Sequence, residues 1–198
     1  MPFGGVAMHR FLRRHSKSFA ILLLTALSAL DHAGAFGRPT DDDRTVYDGA
    51  VAIVIRVVDG DTLDISIPDR DSPTTRVRLW GIDAPEIAHA NDQIDHHFGR
   101  EAADFVEEHF MGRTIRLALD PNRPNRDKFG RLLAYIYTAD SGEMLNALLV
   151  EEGLAYADPR FDHVMKHTFS TIEKRASKSR TGLWESVTPK DMPRWRRR

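Results

Sequence analysis

Between residues 51 and 137 the chain alternates apolar and polar positions in short runs that read as strands. Val51 to Val58 is almost continuously β-branched (Val51, Ile53, Val54, Ile55, Val57, Val58), which predicts a buried strand. Asp59-Gly60 is a tight-turn dipeptide, and Thr62, Leu63, Ile65 and Ile67 continue beyond it, so the segment reads as a hairpin. After a polar turn at Pro68 to Pro73, Thr75 to Trp80 sets Val77 and Leu79 against Arg76 and Arg78, a third strand with one polar face. Thr114 to Leu119 (Ile115, Leu117, Leu119) and Leu132 to Tyr137 supply a fourth and a fifth.

Three segments change to the helical period. Phe98, Ala102, Phe105 and Val106 share one face, and Gly112 ends that helix. Glu143 to Glu152 stacks Leu145 on Leu149, with Gly153 as its cap. Residues 162–181 read as a last, strongly charged helix. Between these elements run two polar loops, Ala84 to His97 and Pro121 to Gly130. Five strands, with helices after the third and the fifth, predict an α+β domain. Their natural closure is a five-stranded barrel of the oligonucleotide/oligosaccharide-binding (OB) type with about three helices.

The ends differ from this body. Arg10, Arg13, Arg14 and Lys17 precede an apolar stretch from Phe19 to Leu30, and Ala33-Gly34-Ala35 then offers small residues where a signal peptidase cuts. Residues 1–35 are therefore expected to be a signal peptide, and the protein to be exported to the periplasm or the medium. The alternative is an uncleaved anchor through residues 19–30, which is short beside the ~20 residues that a membrane span needs. Residues 36–45 read as a solvated linker, 46–186 as the folded domain and 187–198 as a frayed basic tail.

Composition narrows the chemistry. The 198 residues are 41% hydrophobic, enough for a core, and carry a formal net charge of −1. Residues 1–35 hold four positive charges and one negative, so their removal leaves a chain near −4. Binding of nucleic acid then has to come from a local arginine and lysine cluster. The absence of cysteine excludes disulfides, zinc–thiolate sites and cysteine nucleophiles. No serine or threonine sits in a nucleophile elbow. His89, His96 and His97 have no regular ligand spacing and read as solvated loop residues.

Four stretches carry charge in a pattern that structure alone does not require. Val58-Asp59-Gly60-Asp61-Thr62 is a hairpin turn whose two acids suit a hard cation. Arg78-Leu79-Trp80-Gly81-Ile82-Asp83-Ala84-Pro85-Glu86 puts a guanidinium and two carboxylates at a strand exit. A metal ligand, a proton acceptor and a phosphate binder in close company are what phosphodiester hydrolysis uses. Asp127-Lys128-Phe129-Gly130-Arg131 is a charged loop that presents Lys128 and Arg131 to an anion. Gly153-Leu154-Ala155-Tyr156-Ala157, followed by Pro159-Arg160-Phe161, is a helix cap and connector in which Tyr156 and Phe161 are candidates for stacking on a base.

In this order the four stretches resemble the staphylococcal nuclease (thermonuclease-like) family, from about Val51 to Trp184 and including Arg180-Thr181-Gly182-Leu183-Trp184. The resemblance implies a Ca²⁺-dependent nuclease acting on DNA and/or RNA, monomeric, with no stable protein partner and no stable membrane association once the signal is cleaved. It implies Asp61, Asp83 and the backbone carbonyl of Ala84 as metal ligands, with Ala84 standing where relatives often have Thr. It implies Glu86 as general base and Arg78 and Arg131 as stabilisers of phosphorane charge. Asp59 falls to a turn or outer position. Lys128, Phe129 and Phe161 are the expected substrate contacts. Phe129 replaces a frequent Tyr, and the family's stacking tyrosines near Pro159 are missing, Phe161 keeping one apolar platform. The alternative to an enzyme is a catalytically weak, nucleic-acid-binding module of the same fold.

Overall fold

The structure, a computed structural model, describes residues 40–87 and 96–197. The elements are α1 (Thr40–Tyr47), β1 (Val51–Asp59), β2 (Thr62–Ile65), β3 (Thr75–Leu79), β4 (Ile82–Asp83), α2 (Gly99–Phe110), β5 (Thr114–Ala118), β6 (Leu132–Thr138), α3 (Leu145–Glu151), β7 (Tyr156–Ala157) and α4 (Lys166–Ser179). Short 3₁₀ turns follow at Gly182–Glu185 and Arg194–Arg196.

The five expected strands close into a barrel in the order β1-β2-β3-β6-β5. All pairs are antiparallel except β3 with β6, where Val77 meets Leu132 and Leu79 meets Ala134. Alternate side chains fill the barrel: Val54, Leu63, Ile65, Val77, Leu79, Ile115, Leu117, Leu132 and Ile136 are buried. α2 lies on β1, and α3 packs between β6 and α4. Leu145 and Leu149 of α3 are both buried, as their spacing predicts.

Two expectations change. β1 is not buried throughout: Val51, Ile53 and Ile55 face outward while Ala52 and Val54 point into the core. A barrel strand has an outer face whatever its composition, and the register slips between Val54 and Arg56 and again before Asp59. The segment read as a linker is helical from Thr40. Asp43 on α1 receives a two-pronged bond from Arg126 at 2.7 and 2.8 Å, and the Tyr47 hydroxyl meets Thr75 Oγ1 at 3.1 Å. Arg126 also bonds Asp69, so one half-buried guanidinium ties α1, the loop after β2 and the loop before β6.

The site is positioned by a second, two-stranded sheet. β4 pairs with β7 through Ile82 with Ala157 and Asp83 with Tyr156. This pairing bends the chain leaving β3 so that Asp83 returns beside the β1–β2 turn. Among the described residues, no helix is long and apolar enough to cross a membrane. Residues 1–35 lie outside the described residues.

Candidate active site

The β1–β2 turn is held by its own acids. Asp59 Oδ1 accepts the Asp61 backbone N–H at 2.9 Å, which turns the Asp61 side chain inward, where it is 3% exposed. Asp61 Oδ2 accepts the Ala84 N–H at 2.7 Å and pairs with Arg78 at 2.7 Å, and Oδ1 accepts the Thr62 hydroxyl at 3.1 Å. Asp59 is therefore the turn residue and Asp61 the acid that reaches across to the β4 exit.

Arg78, on the polar face of β3, sits between two carboxylates. One terminal nitrogen binds Asp61 Oδ2; the other donates to Asp83 Oδ1 at 2.9 Å. The first also donates to the carbonyls of Leu79 and Ile82 at 3.2 and 3.1 Å. Burial alone would lower the guanidinium pKa, but the charges of Asp61 and Asp83 more than offset it and raise it. Burial pushes the Asp61 carboxyl well above the usual carboxylate range against the pull of Arg78, and the charges of Asp59 and Asp83 add to the push.

Glu86 follows two residues after buried Ala84 and is exposed at its edge. Burial of part of the side chain, and next the charge of Asp59, raise its pKa. Its backbone is tightly placed: the Glu86 carbonyl accepts the His96 N–H at 2.9 Å, and a Cβ on Gly99 would come within 2.5 Å of that oxygen. Glycine at the start of α2 is thus what lets the Glu86 segment lie against the helix.

The loop before β6 brings the second arginine. Asp127 organises it, its Oδ1 accepting the N–H groups of Phe129 and Arg131 at 2.9 and 3.0 Å and its Oδ2 bonding Arg131 Nε at 2.7 Å. Arg131 reaches the β1–β2 hairpin through Thr62 Oγ1 at 3.4 Å. Phe129 is 71% exposed, with Lys128 Nζ 4.9 Å and Arg131 Cζ 5.5 Å from its ring centre. Phe161 packs on Trp80 with ring centres 5.3 Å apart.

Arg78, Asp83, Glu86, Lys128, Phe129, Arg131 and Phe161 line one cleft of about 720 Å³. Asp61 and Ala84 adjoin this lining without being part of it, Asp61 through its pair with Arg78 and Ala84 through the N–H it donates to Asp61. All nine candidate residues thus fall in one region. Three sequence readings need amendment. Tyr156 is buried against Trp184 and under Arg196, so it is no platform for a base. The tail is docked, not frayed: Trp195 Nε1 donates to Asp83 Oδ2 at 2.7 Å. Arg160, passed over in the sequence, lines the cleft and approaches Asp83 Oδ2 at 3.4 Å. The Asp158-Pro159-Arg160 spacing gives no local signal for that approach. His97 meets Ser186 Oγ at 3.0 Å, and His89 lies outside the described residues.

The acids and the guanidinium together test whether a divalent cation fits. Asp59, Asp61, Asp83 and Glu86 outnumber the guanidiniums of Arg78 and Arg160 that meet them, and burial together with the charge of Asp59 raises the pKa of both Asp61 and Glu86. Asp61 and Asp83 offer carboxylate oxygens of the kind a hard cation takes, here engaged by Arg78, and among the described residues no group of three or more His, Asp or Glu side chains is gathered as a metal centre.

Comparison with known proteins agrees with this geometry. Residues 76–186 match the model of the family described as staphylococcal nuclease homologue. The chain is 36% identical over 154 residues to a thermonuclease of Staphylococcus intermedius, covering 77% of this chain and 84% of that protein. It is 34% identical over 134 residues to the thermonuclease of Staphylococcus hyicus, covering 67% and 75%, and 30% identical over 151 residues to a micrococcal nuclease of Shigella flexneri, covering 73% and 79%. The barrel, the ordered motifs and these relatives place the chain in the staphylococcal nuclease family, as a hydrolase of the endonuclease class.

Proposed function

We propose that this protein is an exported, Ca²⁺-dependent nuclease that cleaves phosphodiester bonds of DNA and/or RNA by attack of water. The observation that carries the reading is the pair of bonds from Arg78 to Asp61 and Asp83, made in the same cleft that holds Glu86 and Arg131.

Asp61, Asp83 and the Ala84 carbonyl are the residues that would hold the cation. Bound there, it would supply Lewis-acid chemistry to the phosphodiester. Glu86, lining the same cleft as Arg78 and Arg131, takes the proton of the attacking water. Arg78 and Arg131, both lining the cleft, meet the negative charge that grows on the equatorial oxygens. Lys128 adds charge at the cleft edge. Phe129 and Phe161 offer apolar faces to bases, which suits recognition without sequence preference.

Purified protein is expected to degrade single-stranded DNA and RNA with Ca²⁺ and to stop in excess EGTA. Full cleavage in EGTA would remove Ca²⁺ from the account. Binding without cleavage under all metal conditions would make the chain a recognition module. Export rests on residues 1–35 alone, and N-terminal sequencing of mature protein that starts near residue 36 is the expected result.

A further inference from the structure

The chain after the family match, residues 187–197, is folded onto the site. Thr188 caps Asp191, its N–H and hydroxyl donating to Asp191 Oδ2 at 2.9 and 2.6 Å. Arg197 closes the turn on the carbonyls of Met192 and Lys190 at 2.6 and 2.7 Å. Arg196 forms a two-pronged bond with Glu173 of α4 at 2.8 and 2.9 Å and lies over the rings of Tyr156 and Trp184. Glu173 Oε1 also accepts the Ala157 N–H at 2.9 Å, so the clamp is anchored on β7, the partner of β4. Between these anchors the indole of Trp195 reaches Asp83 Oδ2 at 2.7 Å, with Arg160 Cζ 4.8 Å from its ring centre.

From this geometry we infer that Trp195 is a positioning residue for Asp83, and that the C-terminal segment is a working part of the cation site. The inference rests on Asp83 being a metal ligand, as proposed above. Asp83 sits on a two-residue strand, too short to fix its side chain by packing alone. Arg78 takes Oδ1 at 2.9 Å, and Trp195 takes Oδ2 at 2.7 Å with Arg160 farther off at 3.4 Å, so the carboxylate plane is set from both ends. The indole N–H is a neutral donor. It orients the acid without adding to the positive charge that Arg78 and, at 3.4 Å, Arg160 already bring to it. Oδ1, engaged by Arg78, keeps a further lone pair, so the bond of Trp195 to Oδ2 leaves the acid able to ligate. Hydrogen bonds of this kind to ligating groups are typically worth ~10–100-fold in metal affinity or activity.

The test is direct Ca²⁺ binding by titration calorimetry on the full chain, comparing the parent with Trp195→Phe and Asp83→Asn. Phenylalanine keeps a smaller ring for Arg160 and removes the donor. Thermal melting in EGTA is measured alongside. The expected result is a Trp195→Phe protein that melts like the parent in EGTA yet binds Ca²⁺ ~10–100-fold more weakly. Parental Ca²⁺ affinity in Trp195→Phe, with binding lost in Asp83→Asn, overturns the role of Trp195 and leaves the metal assignment standing. Parental affinity in Asp83→Asn overturns the metal assignment itself. Tighter binding in Trp195→Phe would mean that the indole competes with the cation, and also overturns the inference. A fall in affinity matched by a fall in melting temperature would reduce Trp195 to a structural contact.

Discussion

The two arginines of the cleft live in opposite surroundings. The Arg78 side chain is 13% exposed and bonded to two acids and two carbonyls. The Arg131 side chain is 28% exposed, bonded to Asp127 of its own loop and, at longer range, to Thr62. Arg78 belongs to a rigid strand paired on both sides, β2 and β6. Arg131 closes a loop whose tip, Phe129, stands in solvent. One end of the site is over-determined and suits the chemical step, which needs donors already in place. The other end is adjustable and suits a polymer whose bases vary.

Predictions sharpen or break that contrast. Replacing Asp83 by Asn should have the largest effect, because it removes a proposed ligand and a partner of Arg78 together. Turnover should fall below detection in a plasmid-nicking assay, and near-parental nicking would sink the assignment. Next come Arg78→Lys and Arg131→Lys. Each should lower kcat by ~10²–10³, since Lys cannot reproduce the planar fork. The contrast adds a difference in kind: Arg78→Lys should also lower the melting temperature, while Arg131→Lys should not. Equal melting shifts in the two variants would contradict the rigid-versus-adjustable reading.

Asp127→Ala frees the loop that carries Phe129 and Arg131 while leaving the Arg78 cluster intact. It should raise KM several-fold more than it lowers kcat, and an effect on kcat alone would contradict its organising role. The smallest effect belongs to Phe129→Ala. Loss of one stacking face should weaken oligonucleotide binding by ~1–3 kcal/mol where the ring is used. Stability should stay within ~0.5 kcal/mol of the parent, because the ring is exposed.

The barrel strands were legible in the sequence because period-two alternation is local, as at Val77 and Leu79 against Arg76 and Arg78. The family was legible because its motifs keep their order along the chain, and the match and relatives bear it out. What escaped depends on partners far away in sequence. Asp43 becomes part of a folded helix only because Arg126, 83 residues on, binds it. Trp195 matters only because Asp83, 112 residues earlier, accepts its N–H. Ile53 and Ile55 looked buried because composition cannot tell the inner face of a barrel from the outer, and a register slip next to Ile55 alters the alternation. Tyr156 looked available for stacking because nothing in Gly153-Leu154-Ala155 announces that the next residue pairs with Asp83 in a buried two-stranded sheet.

The most direct test of the account is the initial rate of cleavage of single-stranded DNA and of RNA as free Ca²⁺ is raised from an EGTA-buffered zero, for the parent and for Asp83→Asn. The account predicts no cleavage without Ca²⁺, a saturable rise in the parent and a flat line for the variant. A parent that cleaves fully in EGTA, or a variant that follows the parent's curve, would contradict it.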